Sequence, residues 1–246
     1  MDITKLLESV RTGDLSIEAA LSQLKRLPYE DLGYAMIDHH RALRNGFPEV
    51  VWSEGKELEQ IVGILERLND GTQTVLATRV SPDKAEKLLM VFKNGKYLST
   101  PRLFVIEKEA PAFKVKGPIL ILAAGTSDLP VAEEAYWTAH YMGNEVQKAY
   151  DVGVAGIHRL LSKTELIQKA AVIIVIAGME GALPSVVAGI AGKPVIGVPT
   201  SVGYGVSLKG LTPLFAMLTS CASGVTVVNI DNGFGAAYAA TLMNRI

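Results

Sequence analysis

Residues Ala171 to Gly178 read AVIIVIAG, with no polar side chain along the run. A strand wetted on one face alternates apolar and polar residues. A run apolar at every position fits instead a central strand of a parallel sheet, covered by helices on both faces. Outward from it, β-rich apolar runs recur at Ile119 to Ala123, Glu145 to Tyr150, Pro194 to Val198 and Val225 to Asn229, with helical segments between them. This alternation predicts a doubly wound α/β domain of three layers.

Toward the N-terminus the pattern changes at Lys108 to Gly117, KEAPAFKVKG, which mixes charge, proline and glycine as linkers do. The expected domains are therefore residues 1–112 and 113–246. The first reads as a smaller mixed α+β unit. Asp2 to Val10 forms a helix, and Ser16 caps a second with Ala19, Ala20, Leu24 and Leu27 on one face. Glu49 to Trp52, Thr74 to Ala77 and Leu103 to Ile106 read as strands, Glu57 to Asn69 as a helix, and Ser81-Pro82 as a helix start.

Composition narrows the function. At 49% hydrophobic and 20% charged residues the chain of 246 buries a full core, and a net charge of −1 with scattered Lys and Arg offers no surface for a polyanion such as nucleic acid. The single cysteine excludes an internal disulfide, and Asp2, Lys5 and Glu8 stand where a secretion signal is apolar, so the cytoplasm is the expected address. Gly210 to Ile230 has no charged residue, but Pro213, the polar Thr219, Ser220 and Ser223, and Gly224 divide it into a short helix and a strand rather than a membrane span.

Ligands of open parallel sheets collect at the carboxyl ends of the strands. The loop Ala124 to Pro130 offers small residues and hydroxyls that suit a phosphate, while Ser127 or Asp128 would equally serve as an ordinary helix cap. In Ala177 to Pro184, AGMEGALP, Glu180 follows a wholly apolar strand; it is a general acid or base with raised pKa, or a capping residue. Thr200 to Gly210, TSVGYGVSLKG, is rich in glycine and reads as ligand-facing, with Lys209 either its positive charge or a solvated surface residue. His158-Arg159 follows the second strand, where Arg159 would clamp an anion. Ser162 and Glu165 have capping-box spacing, which would place that pair ahead of the next helix. His39-His40 lacks identifiable partners for a metal. Cys221, in LTSCASG, is by its surroundings either buried filler or a nucleophile.

From Lys116 onward the chain resembles the aminoimidazole ribonucleotide carboxylases of purine synthesis. The shared motifs are GTSDLP from Gly125, His158-Arg159, AGMEGALP from Ala177 and PVIGVP from Pro194. It departs from them in having Ala182 where they carry histidine, Cys221 where they carry a Met-Pro loop, and Glu180. These departures, with DHHRALRNGFPEVVWSEGK from Asp38 and TPRLFVIEKEAP from Thr100, resemble over the whole chain the LarB family of pyridinium biscarboxylic acid mononucleotide synthases.

That resemblance implies a flavodoxin-like catalytic domain and a reaction. The pyridinium ring of nicotinic acid adenine dinucleotide would be carboxylated by carbon dioxide or bicarbonate and the phosphoanhydride hydrolysed, releasing AMP. This is the first step toward a nickel-pincer cofactor. Cys221 is then the nucleophile and Glu180 the proton acceptor. Gly125, Thr126, Ser127, Asp128, His158, Arg159, Gly178, Met179 and Lys209 hold substrate, with magnesium near Asp128 and no permanently bound cofactor. A homo-oligomer is implied, an octamer as in the related carboxylases, with no membrane partner. Because helices run antiparallel to strands, Cys221 should lie opposite the Gly125 loop and meet it across a subunit interface. The alternatives are a purine carboxylase or mutase and a non-catalytic nucleotide-binding module.

Overall fold

A computed structural model describes residues 3–24, 29–41, 45–108, 111 and 113–246. Asp2 and Leu27, assigned above to the first two helices, lie outside the described residues, as do 109, 110 and 112 of the linker. The chain forms two compact units, Met1–Pro111 and Ala112–Ile246.

In the first unit, helices α1 (Ile3–Thr12) and α2 (Ile17–Leu24) precede a two-stranded ribbon of β1 (Glu30–Asp31) and β2 (Met36–Ile37). Ser16 caps α2 by accepting the Ala19 N–H at 3.1 Å. Then follow β3 (Val51–Trp52), α3 (Leu58–Asn69), β4 (Val75–Thr78), α4 (Pro82–Val91), β5 (Gly95–Leu98) and β6 (Leu103–Ile106). The sheet order is β3-β4-β6-β5, with β3 and β4 parallel and the other pairs antiparallel. Ile61, Leu65 and Leu68 of α3 and Ala85 and Leu88 of α4 bury against Val75, Ala77, Phe104 and Ile106. Strand β5 escapes sequence reading because it is an edge strand, GKYL, with an exposed lysine in the middle.

The second unit contains β7 (Ile119–Ala123), α5 (Leu129–Tyr141), β8 (Val146–Ala149), α6 (Ile157–Leu161), α7 (Thr164–Lys169), β9 (Val172–Ala177), α8 (Leu183–Ala191), β10 (Val195–Pro199), α9 (Leu211–Leu218), β11 (Val225–Val227) and α10 (Gly233–Asn244). All pairs are parallel in the order β11-β10-β9-β7-β8. The apolar run Ala171 to Gly178 holds the middle strand, β9. Its Ile173, Val175 and Ala177 join the core formed by Leu160, Ile167, Leu183, Val187 and Met217. Val172, Ile174 and Ile176 join the opposite core with the alanines of α5 and α10. Side chains alternate between faces, and because both faces are covered the sequence shows no alternation.

The order reverses between β7 and β9, so the loops after these strands turn away from each other and leave a crevice at their carboxyl ends. Two sequence expectations are corrected beside it. Ser162 closes α6, its Oγ donating to the Arg159 carbonyl at 2.7 Å, and Glu165 pairs with Lys169 at 2.6 Å, so they form no capping box. A three-residue turn at Val154–Gly156 starts the helix earlier, which puts His158 and Arg159 inside α6 rather than ahead of it. Among the described residues no helix is long and apolar enough to cross a membrane.

Candidate functional site

The crevice is a cleft of about 470 Å³ walled by four loops. Gly125, Ser127 and Asp128 follow β7; Gly153, Val154, Ala155 and Arg159 follow β8; Ala177 ends β9, and Gly178 to Glu180, Ala182 and Leu183 follow it; Val202, Gly203 and Tyr204 follow β10. Its size matches a small-molecule site. The backbone comes very close here. A Cβ on Gly178 would stand 2.4 Å from the Val202 carbonyl oxygen and 2.7 Å from Thr200 Oγ1, so only glycine fits. A Cβ on Gly153 would stand 2.8 Å from the Ala124 carbonyl oxygen.

Asp128 ties the loops together. It is 3% exposed; its Oδ1 accepts from Thr200 Oγ1 at 2.7 Å and its Oδ2 from the Gly125 N–H at 2.9 Å. Burial pushes its carboxyl above the ordinary value, and the donors from Thr200, Gly125 and Gly178 oppose that rise. The buried carboxylate of the cleft is thus Asp128. Glu180 is exposed, because the left-handed backbone of Met179 (φ 50°) and Gly181 (φ 68°) turns the loop toward solvent. Ser127 is also exposed and stands two residues before α5, a helix of 13 residues whose N-terminal N–H groups favour an anion. Arg159 forms an ion pair with Asp151 at the wall formed after β8.

Of the residues singled out from sequence, Gly125, Ser127, Asp128, Arg159, Gly178, Met179 and Glu180 share this cleft, while Thr126, His158, Lys209 and Cys221 are not among its lining. Lys209 and Leu208 adopt left-handed φ of 55° and 48°, and Lys209 is exposed. Its loop reaches the cleft through Tyr204, which is 81% exposed, and ties to Asp128 through Thr200. Neither residue stands out by type in the sequence; the glycines flanking Tyr204 are the available signal. Cys221 is exposed. Its neighbour Ser220 shares a 2.7 Å hydrogen bond with Ser185, and the Gly224 carbonyl meets the Val195 N–H where β10 begins.

Among the described residues no group of three or more His, Cys, Asp or Glu could hold a metal ion. Both Asp128 oxygens are already engaged. The residues therefore do not fit a resident magnesium ion.

A five-stranded parallel sheet in this order, with its cleft at the strand reversal, places the second unit in a known class. Residues 118–246 match the model of the AIR carboxylase family. Residues 29–108 match the model of the LarB/PurE-like N-terminal domain, and the chain belongs to the LarB family, with an AIR carboxylase-like C-terminal domain. An uncharacterized protein of Methanocaldococcus jannaschii is 41% identical over 253 residues, covering 100% of this chain and 98% of its own. The N5-carboxyaminoimidazole ribonucleotide mutase of the same organism is 38% identical over 124 residues, 48% of this chain and 73% of its own. The crystal structure of Treponema denticola PurE2-S38D aligns with a TM-score of 0.40 at 19% identity, over 51% of this chain and 87% of that one.

Proposed function

We propose that this protein carboxylates the pyridinium ring of nicotinic acid adenine dinucleotide and hydrolyses its phosphoanhydride, yielding pyridinium-3,5-biscarboxylic acid mononucleotide and AMP. The observation that carries this reading is a LarB-family chain, matched over residues 29–108 and 118–246, that has an exposed thiol and a cleft in which Ala182 and Glu180 replace the histidine chemistry of the purine carboxylases.

A pyridinium ring is too electron-poor to attack carbon dioxide. Addition of the Cys221 thiolate to a ring carbon converts it to an electron-rich enamine. The adjacent ring carbon then attacks carbon dioxide and forms the new C–C bond. Glu180 accepts the proton from that carbon, the C–S bond breaks, and the electron pair leaves with the thiolate, restoring aromaticity. The net change is one ring proton exchanged for one carboxylate. Water attacks phosphorus separately and breaks the P–O–P bridge. Ser127, Arg159 and the start of α5 bind the phosphates. Magnesium, in this reading, travels on the substrate's phosphates, and no step is assigned to it.

Cys221 completes the cleft of a neighbouring copy in a homo-oligomer, an octamer in this reading. Phe215 and Leu218 near it are 59% and 60% exposed, as apolar side chains awaiting a partner surface would be. The test is incubation with nicotinic acid adenine dinucleotide, bicarbonate and magnesium. AMP and a doubly carboxylated mononucleotide are expected, and absence of both contradicts the proposal. Turnover of aminoimidazole ribonucleotide would favour the purine reading instead.

A further inference from the structure

The two N-terminal segments that resemble the LarB family, Asp38 to Lys56 and Thr100 to Pro111, take no part in the chemistry above. Within their own unit, Trp52 and Ser53 of the first and Arg102 of the second lie at one sheet end. Parallel β3 and β4 finish side by side, with Trp52 in register with Thr78. The Ser53 N–H donates to the Thr78 carbonyl at 3.0 Å, and the Val80 N–H to the Arg102 carbonyl at 2.9 Å. This brings Trp52, Lys56, Arg79 and Arg102 to the same end of the sheet.

The backbone there is held against its preference. Arg79 and Arg102 both adopt left-handed φ, 55° and 53°, which glycine or asparagine would tolerate more readily. Neither arginine is buried, so core packing does not demand these side chains. The Arg79 guanidinium lies 5.5 Å from the centroid of the Trp52 ring and 3.4 Å from the Glu54 carboxylate. Trp52 is nevertheless 58% exposed. Lys56 Nζ donates to the Trp52 carbonyl at 2.8 Å, and Lys84 Nζ to the Lys56 carbonyl at 2.6 Å, fastening the loop that carries the ring. Ser53 is 1% exposed, and its Oγ has no hydrogen-bond partner. Helix α4, 10 residues long, starts beside Arg79 with Pro82 in its first turn, and Asp83 is the acidic residue of that turn.

An exposed indole with Arg79 against it, and Arg102 at the same end of the sheet, matches a ligand with a flat aromatic part and an anionic part. Indole rings stack on nucleobases, and the guanidinium fork binds phosphate oxygens in pairs. We propose that Trp52, Lys56, Arg79 and Arg102 form a binding site for a purine nucleoside monophosphate, its base on the Trp52 ring and its phosphate on the arginines. The choice of adenine rests on the proposed function, whose product is AMP.

The chain has two tryptophans, so in a full-length Trp137→Phe variant Trp52 is the sole emitter. AMP is expected to change its fluorescence saturably, and to do so at lower concentration than adenosine or inorganic phosphate. Arg79→Gln and Arg102→Gln in that background should each raise the midpoint about tenfold, with circular dichroism unchanged. If one arginine variant fails to fold, the other still decides. No change in Trp52 emission up to about 1 mM AMP, arginine variants with the parental midpoint, or inorganic phosphate equalling AMP would each overturn the site. Saturable AMP binding in a protein that makes no carboxylated product would keep the site and remove the reaction. Product formation with an unresponsive Trp52 would do the reverse.

Discussion

Asp128 and Thr200 stand 72 positions apart in the chain and share a buried hydrogen bond of 2.7 Å, joining the loop after β7 to the loop after β10. Burial raises the Asp128 carboxyl above 3.8, so the folded protein holds that proton more tightly than the unfolded chain. Stability from this group is therefore fully present below pH 3.8 and is lost as pH rises through the folded-state value. Asp128→Asn is uncharged at every pH. The unfolding free energy of the wild type minus that of the variant, from urea titrations, should fall as pH rises above 3.8. A flat or rising difference would show that the carboxylate is not strained by burial.

Gly178→Ala places a methyl group against backbone that has no room for it. We expect a loss of about 1–3 kcal/mol in stability and a raised KM for the dinucleotide, since the loops carrying Met179 and Val202 must separate. A variant with parental Tm and KM would mean that these loops yield freely.

Arg159 and His158 are neighbours in α6, but only Arg159 lines the cleft. Arg159→Gln should raise KM about tenfold and change stability by less than about 1 kcal/mol, as expected for a partly exposed ion pair. His158→Ala should leave KM unchanged. Equal effects from the two substitutions would contradict the geometry of this wall.

Cys221 and Glu180 are proposed to act together from different copies of the chain. Cys221→Ala and Glu180→Gln should each be inactive alone, yet their co-assembled mixture should regain about a quarter of wild-type activity, because random pairing in a symmetric oligomer restores that share of sites. No recovery from a mixture shown by mass spectrometry to contain both variants would mean that the two residues act within one chain.

The sequence disclosed most of the second unit because burial on both faces leaves an unmistakable run such as AVIIVIAG, and because Pro130 and Pro184, in the first turns of their helices, mark where the loops end. Single positions within those loops were harder to place. Glu180 and Asp128 both follow apolar strands; which of them is buried depends on the left-handed turn at Met179 and on Thr200, a partner far away in sequence. Lys209 is the obvious charge in its loop, but Leu208 and Lys209 adopt left-handed backbone away from the cleft lining, which the loop supplies through Val202, Gly203 and Tyr204. In the first unit, β5 has no fully buried residue and an exposed lysine, too weak a period to read.

The central claim is that the Cys221 thiolate activates the pyridinium ring. The most direct measurement compares wild type and Cys221→Ala after incubation with nicotinic acid adenine dinucleotide and carbon-13 bicarbonate, following label in the mononucleotide by mass spectrometry. The account predicts a labelled, doubly carboxylated product from the wild type and none from the variant. Full labelling by Cys221→Ala would contradict it.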